Sequence, residues 1–265
     1  MRFYRLAVVS ALTTLLTGCI NAGTLVRVKP DGSGTIEQTI LVNLQALKGL
    51  MAMQGGKEGG GPIFNEEEFK RTAERMGVEP VSLTPIKEGG FEGAKALFAF
   101  DDITKIRVEQ DPPARSSTAV PGKSSRSAPI HFTFDRKGPV SVLTLSVDDK
   151  VAADVSAKVA EKTQSAGKPM DPAVLGMVKA MFQGLRVAMD LEVEGKILKT
   201  NADYVDGSRI TLLALDADSL FAEESKLMAL QSKLGPGMSI AELRPYLKDI
   251  KGVKINNPSI SVTFR

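Results

Sequence analysis

Hydrophobic and polar positions along the chain switch between a two-residue alternation and the wider spacing of an amphipathic helix. Thr24–Lys29 alternates, a turn cluster follows at Pro30-Asp31-Gly32-Ser33-Gly34, and Thr35–Val42 alternates again. Two such runs around glycines able to take positive φ predict a β-hairpin. The turn cluster lacks the Lys-Ser/Thr of a P-loop and the ligand spacing of an EF-hand, so hairpin turn is the reading it supports. Ala94–Asp101 places Ala96, Phe98 and Phe100 on one strand face. Ile130, Phe132 and Phe134 share a face of another strand, with His131 on the opposite side, and Val140–Val147 returns beside it around Lys137-Gly138. Val187, Met189, Leu191 and Val193 alternate with Arg186, Asp190, Glu192 and Glu194, the pattern of a half-buried strand. Past Gly195, the segment Lys196–Ala202 leads through a turn at Asp206-Gly207-Ser208 to a strand over Arg209–Leu215, and Ile260, Val262 and Phe264 mark a further strand.

Helical spacing appears at Leu44, Leu47, Leu50 and Met51, before a flexible Gly-rich loop over Gly55–Pro62. Asn65 reads as an N-cap, Glu66, Glu67 and Glu68 complement the helix dipole, Phe69, Ala73 and Met76 share a face, and Gly77 stops the helix. The three glutamates point in different directions, so capping explains them and a metal cluster does not. Further helices are expected around Val151, Val155 and Val159, over Val174–Leu185, over Ala217–Ser232, and at Ile240, Leu243, Leu247 and Ile250. Strands interleaved with amphipathic helices predict an α+β fold, a mostly antiparallel sheet covered on one face by helices. Asp111–Pro129 breaks the pattern, being rich in Pro and Ser with Arg115, Lys123 and Arg126. It reads as a linker between two lobes or a long insertion, solvated in the plainer view, its weak charge able to touch anionic headgroups in the other.

The start of the chain follows different rules. Arg2 and Arg5 precede an apolar run, Leu6–Leu16, too short to span the roughly 30 Å of a bilayer core. This has the form of a signal peptide, residues 1–18. Its end, Leu16-Thr17-Gly18-Cys19, is similar to the lipobox of bacterial lipoproteins. The resemblance implies that the Cys19 sulfur receives a diacylglycerol, that cleavage falls between Gly18 and Cys19, and that the new amine takes an acyl chain such as palmitate. Several acyl chains anchor stably where one is marginal, at ~0.8 kcal/mol per buried CH₂. By the same resemblance Ile20, not being aspartate, implies delivery to the outer membrane where the cell has two. Only residues 20–23 lie between Cys19 and the first alternating run, so the 24–265 ectodomain is expected close against its membrane.

Composition narrows the functions. The 265 residues are 43% hydrophobic and 25% charged, which excludes wholesale disorder. One cysteine excludes internal disulfides, CxxC redox chemistry and cysteine-rich zinc sites, and one histidine excludes sites needing two imidazoles. Removing residues 1–18 takes Arg2 and Arg5 with it, leaving 32 basic against 31 acidic residues, so the formal charge falls from +3 to +1. Nothing there points to nucleic acid.

The early hairpin around Asp31-Gly32-Ser33-Gly34, with the late Gly195-Lys196, Thr200-Asn201-Ala202, Asp206-Gly207 and Ile210-Thr211-Leu212, resembles the ectodomains of LppM-type bacterial lipoproteins. In that family a hydrophobic residue, often Trp, follows the last strand's Thr; Leu212 stands there here. The resemblance implies an envelope protein with a proposed lipid or glycolipid ligand, and brings no catalytic residue and no cofactor.

The leading expectation is therefore a non-enzymatic envelope lipoprotein binding a lipid or partner at the membrane surface. Met177, Met181, Phe182 and Met189 are candidates for an adaptable apolar pocket, or else ordinary core. A second reading is a structural or assembly lipoprotein docking another envelope protein. A third is a hydrolase using carboxylates drawn from Asp101-Asp102, Asp148-Asp149, Asp203 and Asp206, although adjacent acids on a strand face opposite ways. GxSxG, HExxH and SxxK motifs are absent, and a Ser-His-Asp triad could use only His131.

Overall fold

A computed structural model describes residues 20–44, 65–108, 130–147, 182–223 and 240–265, together with 176, 179, 225 and 226. In chain order the strands are β1 (Ile20–Val28), β2 (Gly34–Asn43), β3 (Glu79–Glu88), β4 (Phe91–Phe100), β5 (Ile130–Lys137) and β6 (Val140–Val147). They continue as β7 (Arg186–Val193), β8 (Ile197–Thr200), β9 (Val205–Asp206), β10 (Arg209–Asp216), β11 (Val253–Ile255) and β12 (Ser259–Phe264). Helices among the described residues are α1 (Glu66–Met76), α2 (Ala217–Phe221) and α3 (Ile240–Leu247), with a 3-10 turn at Ile103–Lys105.

The strands form two sheets. The first runs β11-β10-β7-β1-β2-β4-β3, with β9 paired to β10; the second runs β5-β6-β12-β8. Their inner faces share one core. Val26, Val28, Ile36, Phe98, Leu191 and Val193 from the first sheet pack with Leu143, Leu145, Ile260, Val262 and Phe264 from the second. The helix α1 closes one side, its Phe69 ring 4.9 Å from that of Phe98.

This corrects the expected α+β architecture. Among the described residues the first sheet is covered mainly by a second sheet, not by a layer of amphipathic helices, and the molecule is mostly β. Each inner face alternates as the sequence pattern requires, but alternation says only that a strand has a buried side. What covers that side is decided by pairings such as β6 with β12, between residues more than a hundred positions apart. The late segment is also rearranged: β8 does not form a hairpin with β10 but crosses to the second sheet, where Thr200 stands opposite Val262. The expected helix over 217–232 appears as the short α2, and residues 227–239 lie outside the described set. The helices expected at 44–51, 151–159 and 174–185, and the loop at 111–129, fall mostly or wholly outside it too. Strands from both sides of 111–129 lie in the first sheet.

Locally encoded elements form as read. Asn65 accepts a hydrogen bond from the Glu68 N–H at 2.7 Å, Phe69, Ala73 and Met76 are buried, and Gly77 ends α1 in the left-handed region at φ 70°. Glu66 and Glu67 pair with Lys70 and Arg71 one turn on, as solvated i,i+4 contacts. β1 and β2 form the expected antiparallel hairpin, and so do β5 and β6. An unexpected element is β3, an exposed edge strand carrying Pro80 and Pro85, with its ladder to β4 shifting register between Pro80 and Ser82. An edge is where a sheet tolerates prolines.

The hairpin turn also joins the sheets. Asp31 accepts from the Ser33 N–H at 3.0 Å and its hydroxyl at 2.7 Å, which also holds the Asp31 carboxyl below its ordinary pKa. The Gly32 carbonyl accepts from the Ile103 N–H at 2.9 Å, and the Pro30 carbonyl accepts from the buried Ser141 hydroxyl on β6 at 2.7 Å. Beside this turn a Cβ on Gly34 would strike the Arg27 carbonyl oxygen and come within 2.7 Å of the Phe100 ring, whereas a Cβ on Gly23 meets nothing within 4 Å. Gly34→Ala should therefore cost about 1–3 kcal/mol through overpacking. Gly23→Ala should be neutral or stabilise by up to about 1 kcal/mol, by restricting the unfolded chain. Urea denaturation midpoints of the two variants check both signs.

Candidate functional site

β1 links the regions of functional interest. It starts at Ile20, the residue after Cys19, and is hydrogen-bonded on both sides, antiparallel to β2 and parallel to β7. Gly18 and Cys19 themselves lie outside the described residues. Among those residues no helix is long and apolar enough to cross a membrane.

The outer face of the first sheet carries an alternating row of charges across five strands. Lys95 lies 3.0 Å from Glu37, Glu37 3.4 Å from Arg27, Arg27 3.8 Å from Glu192, and Glu192 2.9 Å from Arg209. Burial pushes the Glu37 carboxyl up, but hydrogen bonds from Lys95 and Arg27 outweigh it and hold the group below its ordinary pKa. The hydrogen bond to Glu192 raises the Arg209 pKa against partial desolvation. This face is built for water.

The inner face is apolar except for one row. Thr24 on β1 stands opposite Gln38 on β2, dividing the main core from a smaller cluster of Ala22, Ile40 and Val42 with Ile20 against it. Gln38 is buried, at 8% exposure, and among the described residues nothing hydrogen-bonds its side-chain amide.

A cleft with a cavity volume of ≈ 50 Å³ opens between the sheets, lined mostly by apolar residues: Met189 on β7, Leu212 and Leu213 on β10, Leu145 and Val147 on β6, and Ile260 on β12. Its shape comes from a β-bulge. Thr211 pairs with Asp190 and Leu213 with Met189, so Leu212 is the extra residue, and both leucines reach the cleft instead of alternating away from it. Asn256, 3% exposed, holds the bulge: its amide donates to the Thr211 carbonyl at 3.0 Å, and its N–H donates to the Leu212 carbonyl at 2.9 Å. Its side-chain oxygen accepts from the N–H groups of Asp203 and Asn257. Asn257 donates on to the Asn201 carbonyl at 2.8 Å, and Pro258 leads into β12, so this crossing between sheets forms one wall of the cleft.

The four candidate pocket residues are distributed as follows. Met189 is buried at the cleft, Phe182 is 42% exposed just before β7, and Met177 and Met181 lie outside the described residues. The other cleft residues were not singled out from sequence. Two signals pointed to them: the unalternating run Ile210–Leu215, and the turn-forming Asn256-Asn257-Pro258 between strand-like segments.

The candidate carboxylates are spread out. Asp102 caps the 3-10 turn, accepting from the Thr104 hydroxyl at 2.7 Å and its N–H at 3.0 Å, bonds that hold its pKa below the ordinary value. Asp203 is paired with Arg244; Asp101 and Asp206 are exposed; Asp148 and Asp149 lie outside the described residues. His131 is exposed on β5. Among the described residues no group of three or more His, Cys, Asp or Glu is placed to hold a metal.

No protein-family model matches the chain, and no curated protein does. A solved structure with some similarity to the chain is the NMR structure of the folded domain of LppM from Mycobacterium tuberculosis. It is 12% identical, with 94% of this chain and 91% of that one covered and a TM-score of 0.37. Similarity that loose carries no argument about fold or function.

Asn256→Ala leaves the Thr211 carbonyl and two N–H groups without their partner, and should cost about 2–3 kcal/mol. Gln38→Met keeps the shape of the side chain and removes a buried amide, and should stabilise by about 1–2 kcal/mol. Guanidinium unfolding of both checks these opposite signs. The folded-state pKa of Glu37 lies below its unfolded value, so its ion pairs contribute stability above about pH 4.3, lost as pH falls through the folded pKa. Glu37→Gln should be less stable at pH 7 and show a shallower loss between pH 5 and pH 3, as measured by thermal unfolding across that range.

Proposed function

We propose that the chain is a lipid-anchored bacterial envelope protein without catalytic activity, whose two-sheet domain binds the apolar part of a membrane lipid in the cleft beside Met189. The observation that carries this reading is the spacing between anchor and fold. The lipobox cysteine directly precedes the first residue of an interior strand, so acyl chains on Cys19 hold the domain at the membrane with no tether. Such a domain is placed to sample lipids of the bilayer it sits on. The cleft supplies the chemistry, with thioether and branched aliphatic side chains inside and the Asn256-Asn257 amides at its wall. Its ≈ 50 Å³ fits a short stretch of hydrocarbon, not a whole lipid, against the several hundred Å³ of a typical ligand pocket. Binding a longer chain requires the sheets to part near Val147 and Pro258.

The carboxylates support the non-enzymatic part of the reading. Asp102 is committed to a cap and Asp203 to Arg244, which draws them away from shared acid–base work. Delivery to the outer membrane, in a cell with two, belongs to the same proposal through Ile20.

Two measurements test it. The mature protein should carry the mass of diacylglycerol and an acyl chain, and Cys19→Ser should lose both that mass and incorporation of labelled palmitate. The domain from Ile20 onward, examined by native mass spectrometry after mixing with envelope lipid extract, should retain lipid, and Leu213→Trp should reduce the bound fraction at least fivefold by filling the cleft. A folded domain that stays empty throughout would refute the lipid-binding half and leave a protein partner as the reading in its place.

A further inference from the structure

The anchor-proximal end of the first sheet carries an aromatic residue exposed to solvent. Consecutive Cα atoms lie 3.8 Å apart, so Ile20 stays within one residue of whatever holds Cys19. Ile20 is locked in the ladder opposite Val42, and Asn21 stands opposite Arg186. The same register brings the end of β2 at Asn43 beside the start of β4 at Phe91, and the end of β10 at Asp216 beside Arg186. These residues mark one end of the sheet.

Phe182 stands at that end. Its carbonyl accepts from the Leu185 N–H at 3.0 Å, Gly184 turns the chain at φ 67° and donates to Asp218 at 2.8 Å, and the Leu185 carbonyl accepts from the Ala217 N–H at 3.0 Å. The turn is fastened on three sides, yet Phe182 is 42% exposed. Several cations here are paired: Arg186 lies 3.5 Å from Asp216, Lys226 3.0 Å from Glu223, and Lys87 3.3 Å from Glu92, while Lys251, next to the Gly252 whose carbonyl accepts from the Asp216 N–H, is exposed.

We infer that the domain meets the bilayer through the end of the first sheet where β1 starts, with Phe182 entering the headgroup layer as a second, apolar point of contact beside the acyl anchor. This rests on the anchor reading above. Two contacts fix the tilt of the domain as one cannot, and an aromatic side chain suits a boundary that is apolar on one side and wet on the other. The opposite end supplies a matched control. Val205, also 42% exposed, pairs with Ile210, which lies level with Leu191 and so with Val26. That is five residues along the sheet from Asn21, or about 17 Å at ~3.3 Å per residue. The headgroup layer is only about 5–8 Å deep on each side of the bilayer.

The test uses full-length mature protein, acylated on Cys19 so that its own sulfur is blocked. Phe182→Cys and Val205→Cys carry an environment-sensitive fluorophore in phosphatidylcholine vesicles with or without phosphatidylglycerol, and each sample's acyl mass is recorded. Shallow spin-labelled lipid should quench the 182 probe at least threefold more than the 205 probe, already in phosphatidylcholine without phosphatidylglycerol. Acylated protein whose 205 probe is quenched as much as the 182 probe, or whose 182 probe is not quenched, overturns the docking face alone. A mature mass without acyl chains overturns the anchor reading and the docking face with it.

Discussion

The fold depends on one strand being held from both sides. β1 pairs antiparallel with its hairpin partner β2 and parallel with β7, which is more than 150 residues away, and its Val26 and Val28 are fully buried in the shared core. A parallel ladder between segments so far apart carries a large loop-closure cost, recovered only once many apolar contacts form together. Here the recovery comes from the second sheet. Leu143, Leu145, Ile260, Val262 and Phe264 close over the same face, and the hairpin turn clasps that sheet through the Ser141 hydroxyl while accepting from the Ile103 N–H of the 3-10 turn after β4. The two faces of the first sheet are thereby specialised, one for the core and the other for an alternating row of charges.

The cleft follows from how the chain changes sheets. Between β11 and β12 it must leave one layer for the other within three residues, and Asn256 and Asn257 satisfy the backbone groups that this crossing and the neighbouring bulge leave unpaired. An amide with both donor and acceptor groups can serve carbonyls and N–H groups at once, which no apolar residue in that buried position could do. The bulge at Leu212 costs a ladder step and turns an additional leucine toward the gap. The polar clasp and the apolar cleft are two sides of one local arrangement.

What could be read from sequence was what neighbouring residues decide. The Asn65 cap, the first-turn glutamates and the Gly77 stop define α1 within thirteen positions, and the two tight hairpins carry their own turn residues. Strand alternation identifies buried faces but not their partners, so it does not distinguish a covering sheet from a covering layer of helices. β3 carries no strand signal in sequence, because Pro80 and Pro85 disguise it and its exposed side chains follow no buried alternation. At the cleft, Met189 was singled out for its thioether chemistry, while Ile255 and Ile260 reach it through pairings more than forty residues away in sequence, which periodicity cannot reveal.

The prolines of β3 acquire another meaning if, as proposed, the domain is held at a surface. Molecules fixed to one plane in a common orientation lose most of their rotational freedom relative to one another. Their lateral edges then meet far more often, and in better register, than in free solution. An open sheet edge under such confinement would template strand-to-strand growth across the plane. Pro80 and Pro85 each withhold an N–H from that edge, and the register shift between Pro80 and Ser82 bends its line. On the proposed anchor, the edge that most resists reading as a strand would also be one that resists such growth between neighbouring copies.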